Sequence, residues 1–278
     1  QDAAGRGDAD AIAVGLEAEA KIDDRESLKR RLAETAQSSS GPLWLVLIGH
    51  GTFDGKQAKF NLRGPDFSAG ELAEWLKPIQ RPLAIVNCAS ASGPFLNELS
   101  GDNRVVITAT KSGHERNFAR FGDYLSAAIA DPKADLDKDD QTSLLEAFLL
   151  AAARVEDFYR EESRLATEHA LIDDNGDRLG TPAEWFQGVR AAKSAKDGAS
   201  LDGLRAGQLQ LVRSQGEQDL SAEARARRDE LERRIAALRG RKTQTAEDEY
   251  YRQLEPLLLD LARLYEPAGQ GPGAVDGK

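Results

Sequence analysis

The stretch "LWLVLIGHGTFDG", residues 43–55, decides the fold of the first half of the chain. Its continuous apolar run, Leu43–Ile48, predicts a short strand that is buried on both faces, as in a parallel sheet. The run stops at Gly49-His50-Gly51, and the chain has only three histidines. A buried strand that ends in a histidine between two glycines indicates a chemical role for that histidine.

A second apolar run follows in "LAIVNCASASG", residues 83–93. Leu83–Asn87 reads as a buried strand, and it leads into Cys88, the only cysteine of the chain. The segment "RVVITAT", residues 104–110, predicts a third strand. Helices are predicted between these strands, and we expect no strand after about residue 140, where the sequence becomes rich in helix-forming residues.

The helices are indicated by apolar periodicity and by a cap. Leu28 and Leu32 lie four residues apart and predict a helix over 25–36. Ser68 and Glu71 have the spacing of a capping box at the start of a second helix, and a third is predicted over 118–129. Strands that alternate with helices predict an α/β fold with a mostly parallel sheet flanked by helices.

Composition excludes several classes of function. The chain has 278 residues and a net charge of −10, and no large basic cluster that would bind nucleic acid. No apolar stretch is long enough to span a bilayer, and residues 1–20 lack the pattern of a signal peptide. Position 1 is not methionine, so we expect residues 1–24 to be a lead-in and the truncated start of the first domain. The sequence does not fix the compartment, although a periplasmic or secreted location is favoured over the cytoplasm.

The predicted organisation has four parts after the lead-in. The α/β domain covers 25–185, a linker or irregular segment covers 186–218, a helical hairpin covers 219–267, and a disordered tail covers 268–278. In the hairpin, the first helix is expected to pack on the second through the following apolar side chains: Leu231, Ile235 and Leu238, facing Tyr251, Leu254, Leu258, Leu261 and Tyr265. Pro256 is expected to kink or restart the second helix. The charged outer surface of the hairpin is either a solvated face or a site for a protein partner.

His50 and Cys88 are expected at the same edge of the sheet. Both follow strands that are consecutive in the sheet, and ligands bind outside the carboxyl ends of such strands. An imidazole can take the proton of a nearby thiol, and the thiolate is a strong nucleophile. The N–H groups of Gly51 and Cys88 would then form an oxyanion hole. Taken singly, each residue has a plainer explanation, since a lone cysteine is often a small buried apolar residue and a strand-end histidine is often a turn residue.

These two blocks resemble the signature blocks of caspase–haemoglobinase fold cysteine peptidases, clan CD, and especially those of bacterial legumain-like proteins. The resemblance continues through "VVITATKSGHERNFARFGDYLSAAI" and covers residues 25–150. It implies that the α/β domain is a caspase-like peptidase domain, that Cys88 is the nucleophile and that His50 is the general acid or base. Val86 stands where legumains carry an acidic pocket residue, so the preference for asparagine does not carry over.

Four further residues lie where the walls of a substrate pocket would form. They are Asn87, Thr108, Thr110 and Glu115.

Two acidic loops have the spacing of calcium-binding loops. The first, 135–146, offers Asp135, Asp137, Asp139, Gln141 and Glu146. The second, 173–184, offers Asp173, Asn175 and Asp177. Asp140 and Arg178 stand where such loops prefer glycine. The same residues are compatible with plain helix starts at Ser143 and Thr181, and the second loop also with a cleavage site or a pocket-lining loop.

The sequence therefore predicts a cysteine endopeptidase that cleaves a polypeptide substrate through a thioester intermediate. Catalysis requires no cofactor, although calcium is a candidate ligand of the acidic loops. One alternative is a catalytically inactive caspase-like binding or scaffold protein. The others use the same thiol, in a peptide ligase or in a hydrolase or transferase of small molecules.

Overall fold

A computed structural model describes residues 10–16, 23–37, 41–196 and 199–265 of the chain. The chain divides into two compact units, residues 1–213 and residues 214–278. Most of the predicted lead-in and all of the predicted tail, 268–278, lie outside the described residues.

The described residues of unit 1 contain ten short strands. In chain order they are β1 Leu43–Leu47, β2 Gly51–Phe53, β3 Ala58–Phe60, β4 Phe67–Ser68, β5 Leu83–Asn87, β6 Arg104–Thr108, β7 Leu171–Asp173, β8 Thr181–Pro182, β9 Phe186–Gln187 and β10 Arg190–Ala191.

The helices are distributed over both units. Unit 1 has α1 Asp24–Thr35, α2 Ala69–Leu76, α3 Gly93–Leu99, α4 Phe121–Ala128, α5 Leu144–Glu161 and α6 Leu204–Gly207, and unit 2 has α7 Gln215–Asp219, α8 Ala222–Gly240 and α9 Glu247–Arg263. Short 3-10 helices cover Pro132–Ala134, Ala183–Trp185 and Lys242–Gln244.

The main sheet of unit 1 has five strands in the order β1-β5-β6-β7-β8. Strands β1, β5 and β6 are parallel, and every residue of β5 is buried, which confirms the prediction of a parallel core covered on both faces. On one face, Leu83 and Ile85 of β5 belong to the same core as helices α1, α2 and α3. On the other face, Ala84 and Val86 belong to the core that holds α4 and α5.

The expectation that strands stop after residue 140 is wrong. Strands β7 and β8 extend the sheet, and both run antiparallel to their neighbours, so the sheet is mixed. Each has two or three residues, which is too short for a period-2 pattern to stand out, and the pairing with β6 supplies the hydrogen bonds that make them strands. A second small sheet, β2-β3-β4, lies between β1 and α2 in the chain and was also not predicted.

Strand β1 lies at one edge of the main sheet. Among the described residues, the outer edge of β1 has no neighbouring strand, because β1 ends the strand order. On one face of this segment, Val46 is 47% exposed and Ile48 is 79% exposed, whereas Leu45 and Leu47 on the other face are buried. The apolar run 43–48 is therefore buried on one face only, which differs from the expectation for a strand covered on both faces.

Two predicted helix starts are confirmed by their caps. Ser68 caps α2 with Glu71, and Ser143 caps α5 with Glu146, each in a reciprocal capping box. The long segment after residue 140 therefore begins with one helix of 18 residues, α5, which packs against α4.

Of the segment expected to be a linker or irregular, 186–218, residues 186–213 belong to unit 1 and several of their side chains pack in its core. Phe186 contacts the core and Ala206 is buried in it. Two buried carboxylates join this segment to the β7–β8 hairpin. Asp202 accepts hydrogen bonds from the N–H groups of Asp174 and Asn175 and from the hydroxyl of Thr181, while Asp174 accepts from the N–H groups of Gly203 and Ala206.

In unit 2, α8 and α9 form an antiparallel hairpin, since an ion pair between Arg227 and Asp260 joins the start of α8 to the end of α9. The predicted side of α8 is confirmed, because Leu231, Ile235 and Leu238 are buried in the hairpin core. The prediction for α9 is confirmed in part, because Leu254 and Leu261 are partly buried against the core. Tyr251, Leu258 and Tyr265 are exposed instead, and the neighbouring residues Tyr250, Leu257 and Leu264 take their places.

Pro256 lies inside α9, and the helix runs through it. Across the described residues, no helix is both long enough and apolar enough to cross a bilayer.

The Asp174–Asp202 pair predicts that stability falls as the pH rises from about 4 to 7. Burial, and next the charge of Asp174, raises the pKa of Asp202 to about 7, whereas an unfolded aspartate has a pKa near 4. Between these two values the folded state holds a proton that the unfolded state has lost, so deprotonation favours unfolding. In Asp202→Asn this part of the pH dependence should disappear, because the amide cannot ionise. Melting temperatures at pH 4.5 and 7.5 measure it, with the exposed Asp102→Asn as control. Parallel pH curves for wild type and Asp202→Asn would contradict the assignment.

Candidate active site

His50 and Cys88 lie at the same edge of the main sheet. Strands β1 and β5 are parallel neighbours, with Leu47 opposite Asn87. Cys88 is therefore level with Ile48, and His50 is two residues further along. With strands about 4.8 Å apart and about 3.3 Å per residue, the two Cα atoms lie within roughly 10 Å. The structure thus places the loops that carry the two residues at one edge of the sheet.

A direct contact joins the two loops that carry these residues. The N–H of Gly51 donates to the Ser90 hydroxyl over 3.3 Å, and that hydroxyl lies 3.2 Å from the carbonyl oxygen of Gly51. A Cβ atom on Gly51 would lie 2.1 Å from the carbonyl oxygen of Ser90, so only glycine fits there. Since Gly51 follows His50 and Ser90 is two residues after Cys88, this contact fixes the two loops against each other.

Cys88 is buried and protonated in this conformation. It is 6% exposed, and burial, followed by the charge of Asp123, raises the pKa of its thiol to about 12. Gly122 packs on it closely, since a Cβ atom there would lie 2.7 Å from the Cβ of Cys88. His50, in contrast, is exposed. The site therefore pairs an accessible imidazole with a covered thiol.

The N-terminus of helix α4, which covers the thiol, is held by a buried carboxylate. Glu168 is 2% exposed and accepts hydrogen bonds from the N–H groups of Arg120 and Phe121. Burial raises the pKa of Glu168, and these hydrogen bonds oppose that shift. Glu168 thereby positions Gly122 and Asp123 beside Cys88, a role that the sequence did not indicate.

The two N–H groups expected in the oxyanion hole have different partners. The N–H of Cys88 donates to the carbonyl of Leu47 over 2.9 Å, as part of the pairing of β5 with β1. The N–H of Gly51 donates to a hydroxyl, which can rotate away and leave that N–H to a ligand. Of the two, Gly51 is the donor that substrate can reach with less change to the fold.

Three of the four expected pocket residues are buried and support the Cys88 loop. Asn87 is 1% exposed and its side-chain oxygen accepts from the N–H of Ala89. Thr110 bonds to Ser92 and to the N–H of Gly93, and Thr108 donates to the carbonyl of Thr110. A substrate would reach these side chains only after the loop moved.

Glu115, the fourth, lies closer to the surface in a pair that the sequence did not reveal. Its carboxylate is 2.5 Å from Nδ1 of His169, and its carbonyl accepts from the N–H of Ala91 in the Cys88 loop. His169 lies two residues before Leu171, which pairs with Thr108 at the end of β6, so it belongs to the same sheet edge as Cys88. The sequence did not indicate that His169 lies at this edge, because the strand that places it there, β7, has only three residues.

The first acidic loop has part of the geometry expected for a calcium site. Carboxylate oxygens of Asp135, Asp137 and Asp139 lie within 4.8 Å of one another, and neighbouring acidic groups add to burial in raising the pKa of Asp137. Asp140 has φ +64°, the left-handed conformation that the glycine position of such loops requires. Both oxygens of Glu146 are used inside the protein, in the cap of α5 and by the N–H groups of 136 and 137.

Gln141 hydrogen-bonds through its side chain to Asp139. Calcium binding by the first loop stays a prediction.

Most side-chain oxygens of the second acidic loop accept hydrogen bonds within the protein, whereas Oδ2 of Asp177 is buried without a hydrogen-bond partner. Asp173 is buried and accepts from the N–H groups of Gly176 and Arg178, and Asn175 accepts from the N–H of Asp177. Arg178 has φ +69° and therefore also adopts the left-handed conformation. These contacts describe a self-contained turn between β7 and β8, and calcium binding there stays a prediction as well.

Comparison of the chain with protein-family models, with curated proteins and with solved structures found no match.

Gly51→Ala should destabilise the protein by about 1–3 kcal/mol, because the new methyl group overlaps a backbone carbonyl and the loops of His50 and Cys88 must separate. Gly70→Ala is the matched control. Gly70 lies in helix α2 with open space around it, so this change should be neutral or stabilise by about 0.5–1 kcal/mol. Denaturant unfolding measures both values, and a Gly51→Ala variant as stable as wild type would contradict the contact.

Asp123→Asn should lower the pKa of Cys88, since it removes the negative charge that opposes the thiolate. The pH midpoint for alkylation of Cys88 by iodoacetamide is therefore expected to move down. The chain has one cysteine, so the mass of the intact protein reports the reaction. The exposed Glu98→Gln on α3 serves as control and should leave the midpoint unchanged. Equal midpoints for Asp123→Asn and wild type would argue against an influence of Asp123.

Proposed function

We propose that this protein is a cysteine endopeptidase of the caspase and legumain type, with Cys88 as nucleophile and His50 as general acid and base. The observation that carries the proposal is the contact between Gly51 and Ser90, which holds the histidine loop against the cysteine loop at one edge of the sheet. Either residue alone has a plain structural explanation. A shared edge and a contact that only glycine permits favour a joint role.

The proposed reaction is acyl transfer to the thiol. The sulfur of Cys88 attacks the carbonyl carbon of a peptide bond, and its proton passes to His50. The tetrahedral oxyanion is stabilised by the N–H of Gly51 once the Ser90 hydroxyl rotates away. The C–N bond then breaks, His50 protonates the leaving amine, and a thioester remains on Cys88. Water, deprotonated by His50, hydrolyses the thioester and restores the thiol.

Two properties of Cys88 set conditions on this mechanism. With a pKa of about 12, the group is a thiol at neutral pH, so it must lose its proton during the attack rather than before it. It is also 6% exposed, so substrate must displace part of its cover. The part of that cover that the contacts identify is the first turn of α4, where Gly122 packs on Cys88.

The second candidate is a binding or scaffold protein on the same fold, with no peptidase activity. The observation that favours it is the state of Cys88, which is covered and protonated in the described conformation. In this case Cys88 acts as a small apolar residue of the core, and the acidic loops and the helical hairpin make the useful contacts.

A peptidyl ketone probe that alkylates active-site cysteines should label the wild-type protein and not Cys88→Ala. In His50→Ala, the labelling rate should fall by about a hundredfold or more, because the general base is lost. His114→Ala is the matched control. His114 is an exposed histidine that packs on Phe53, and its loss should leave the rate unchanged.

Iodoacetamide distinguishes an inactive site from an inaccessible one. If iodoacetamide alkylates Cys88 in the folded protein but no probe of a diverse peptide library does, with and without calcium, the peptidase proposal is wrong and the scaffold candidate stands. Cleavage of a peptide library by wild type alone would give the specificity at the same time. Turnover of small esters without cleavage of any peptide would indicate a hydrolase of small molecules instead.

A further inference from the structure

Helix α9 presents more apolar surface than helix α8 covers. Besides the row that packs on α8, a second row consists of Tyr251, Leu258 and Tyr265, which are 50%, 43% and 59% exposed. We call it the outer row. The seven-residue spacing keeps Tyr251 and Leu258 on one line along the helix, which is the repeat of helices that pack side by side, and Tyr265 follows two residues after the helix ends.

The two rows form one continuous apolar arc. At about 100° per residue, the arc from Leu264 through Leu257 and Leu261 to Tyr251 spans about 140° of the helix circumference. A helix with a single helical neighbour needs only the narrow seam of a two-stranded coil, whereas a helix in a bundle shows a wider arc. The arc of α9 therefore has room for a second helical neighbour.

The hairpin core is also small for a unit of its own. Within the described part of unit 2, the core cluster contains five buried apolar side chains, from Leu231 to Leu257. Helical units with so little core commonly gain stability through association with further helices. Covering the outer row would bury Tyr251, Leu258 and Tyr265 and enlarge this core.

Charge indicates which helix fits. Helix α9 carries five acidic residues and two arginines, whereas α8 carries six arginines and four acidic residues. The net charge of α9 is thus opposite in sign to that of α8 and equal in sign to that of another α9. Arg227, Arg228 and Arg233 of α8 form ion pairs within the chain, and the other three arginines add to the positive charge of this helix. Because the hairpin contains one helix of each kind, two copies of the chain complement each other twice in a symmetric arrangement.

We propose that two copies of this chain associate through their hairpins into a four-helix bundle, in which the outer row of each α9 packs against α8 of the other copy. The association does not use Cys88 or His50, so it stands or falls separately from the proposed peptidase activity. The overall charge of −10 opposes non-specific association of two chains. Association therefore depends on the local charge complementarity between α8 and α9.

The mass of the full chain in solution tests the proposal. Light scattering coupled to size exclusion should give twice the chain mass for wild type at about 100 µM, because a dimer with a dissociation constant of about 1 µM is nearly complete at that concentration. Leu258→Glu should raise the dissociation constant by about a thousandfold or more and so appear mainly as monomer at about 100 µM, since it places a charge in each of the two symmetric contacts. A monomeric wild type would overturn the proposal and would leave the outer row to another surface or another protein.

A control on the same helix separates loss of the interface from loss of the helix. Gln253→Glu adds the same charge at an exposed position away from the outer row and should leave the dimer intact. Circular dichroism should show equal helix content in wild type, Leu258→Glu and Gln253→Glu. If Leu258→Glu keeps both its helix content and the dimeric mass, the outer row is not the interface.

A cross-link tests the arrangement of the helices. In a Cys88→Ala background, Leu258→Cys should not form a disulfide with itself, because each residue 258 faces α8 of the other copy. Two cysteines form such a bond only when their Cα atoms lie within about 7 Å. A rapid and complete disulfide between two such chains would place α9 against α9 and overturn the proposed pairing.

Discussion

The parallel pairing of β1 with β5 is the constraint on which the rest of unit 1 depends. It sets Leu47 opposite Asn87, and its last hydrogen bond runs from the N–H of Cys88 to the carbonyl of Leu47. Because both strands end there, both chains turn out of the sheet at the same level. The histidine loop and the cysteine loop therefore lie next to each other. Because Gly51 has no side chain, the two loops approach to hydrogen-bonding distance. The candidate site is thus a consequence of strand register.

The environment of the Cys88 thiol favours core packing at the expense of thiolate formation. Burial of Cys88 beside Gly122 completes the core on the α4 face of the sheet, and the same burial disfavours the thiolate. Glu168 strengthens this arrangement from a distance, since it fixes the first turn of α4 through backbone N–H groups. A site of this kind is stable at rest, and any chemistry at Cys88 has to be accompanied by motion at the start of α4.

The sequence was informative where an element carries its own signal. The strand Leu83–Asn87 and the capping box of Ser68 and Glu71 were predicted at the right residues, because an apolar run and a local hydrogen-bond pattern are visible without knowledge of the fold. The strand β7 was missed, because three residues are too few to show an alternation of apolar and polar side chains. They form a strand only through their pairing with β6.

Among candidate site residues, His50 and Cys88 were found because each follows such a run. His169 was missed for the same reason as β7, because its place at the edge comes from that pairing. The burial of Asn87, Thr108 and Thr110 depends on how the loops after the strands fold back, which no spacing encodes. The error at Tyr251, Leu258 and Tyr265 of the hairpin has a related cause. That helix is apolar on two adjacent rows, and periodicity alone does not say which row the hairpin uses.

The exposed side of β1 has a meaning for the protein's behaviour in concentrated solution. Among the described residues, no strand pairs with the outer edge of β1, and no charged residue or internal proline interrupts it. The apolar side chains of Val46 and Ile48 are exposed on one face. Natural sheets usually protect such a border with lysine, proline or a covering segment, because any extended chain can continue the ladder there. In the described part of the chain, this unprotected edge belongs to β1, the strand that leads into His50. A polypeptide that paired with this edge would extend the sheet and would also run past the proposed active site. The same strand edge could therefore promote aggregation and bind an extended substrate.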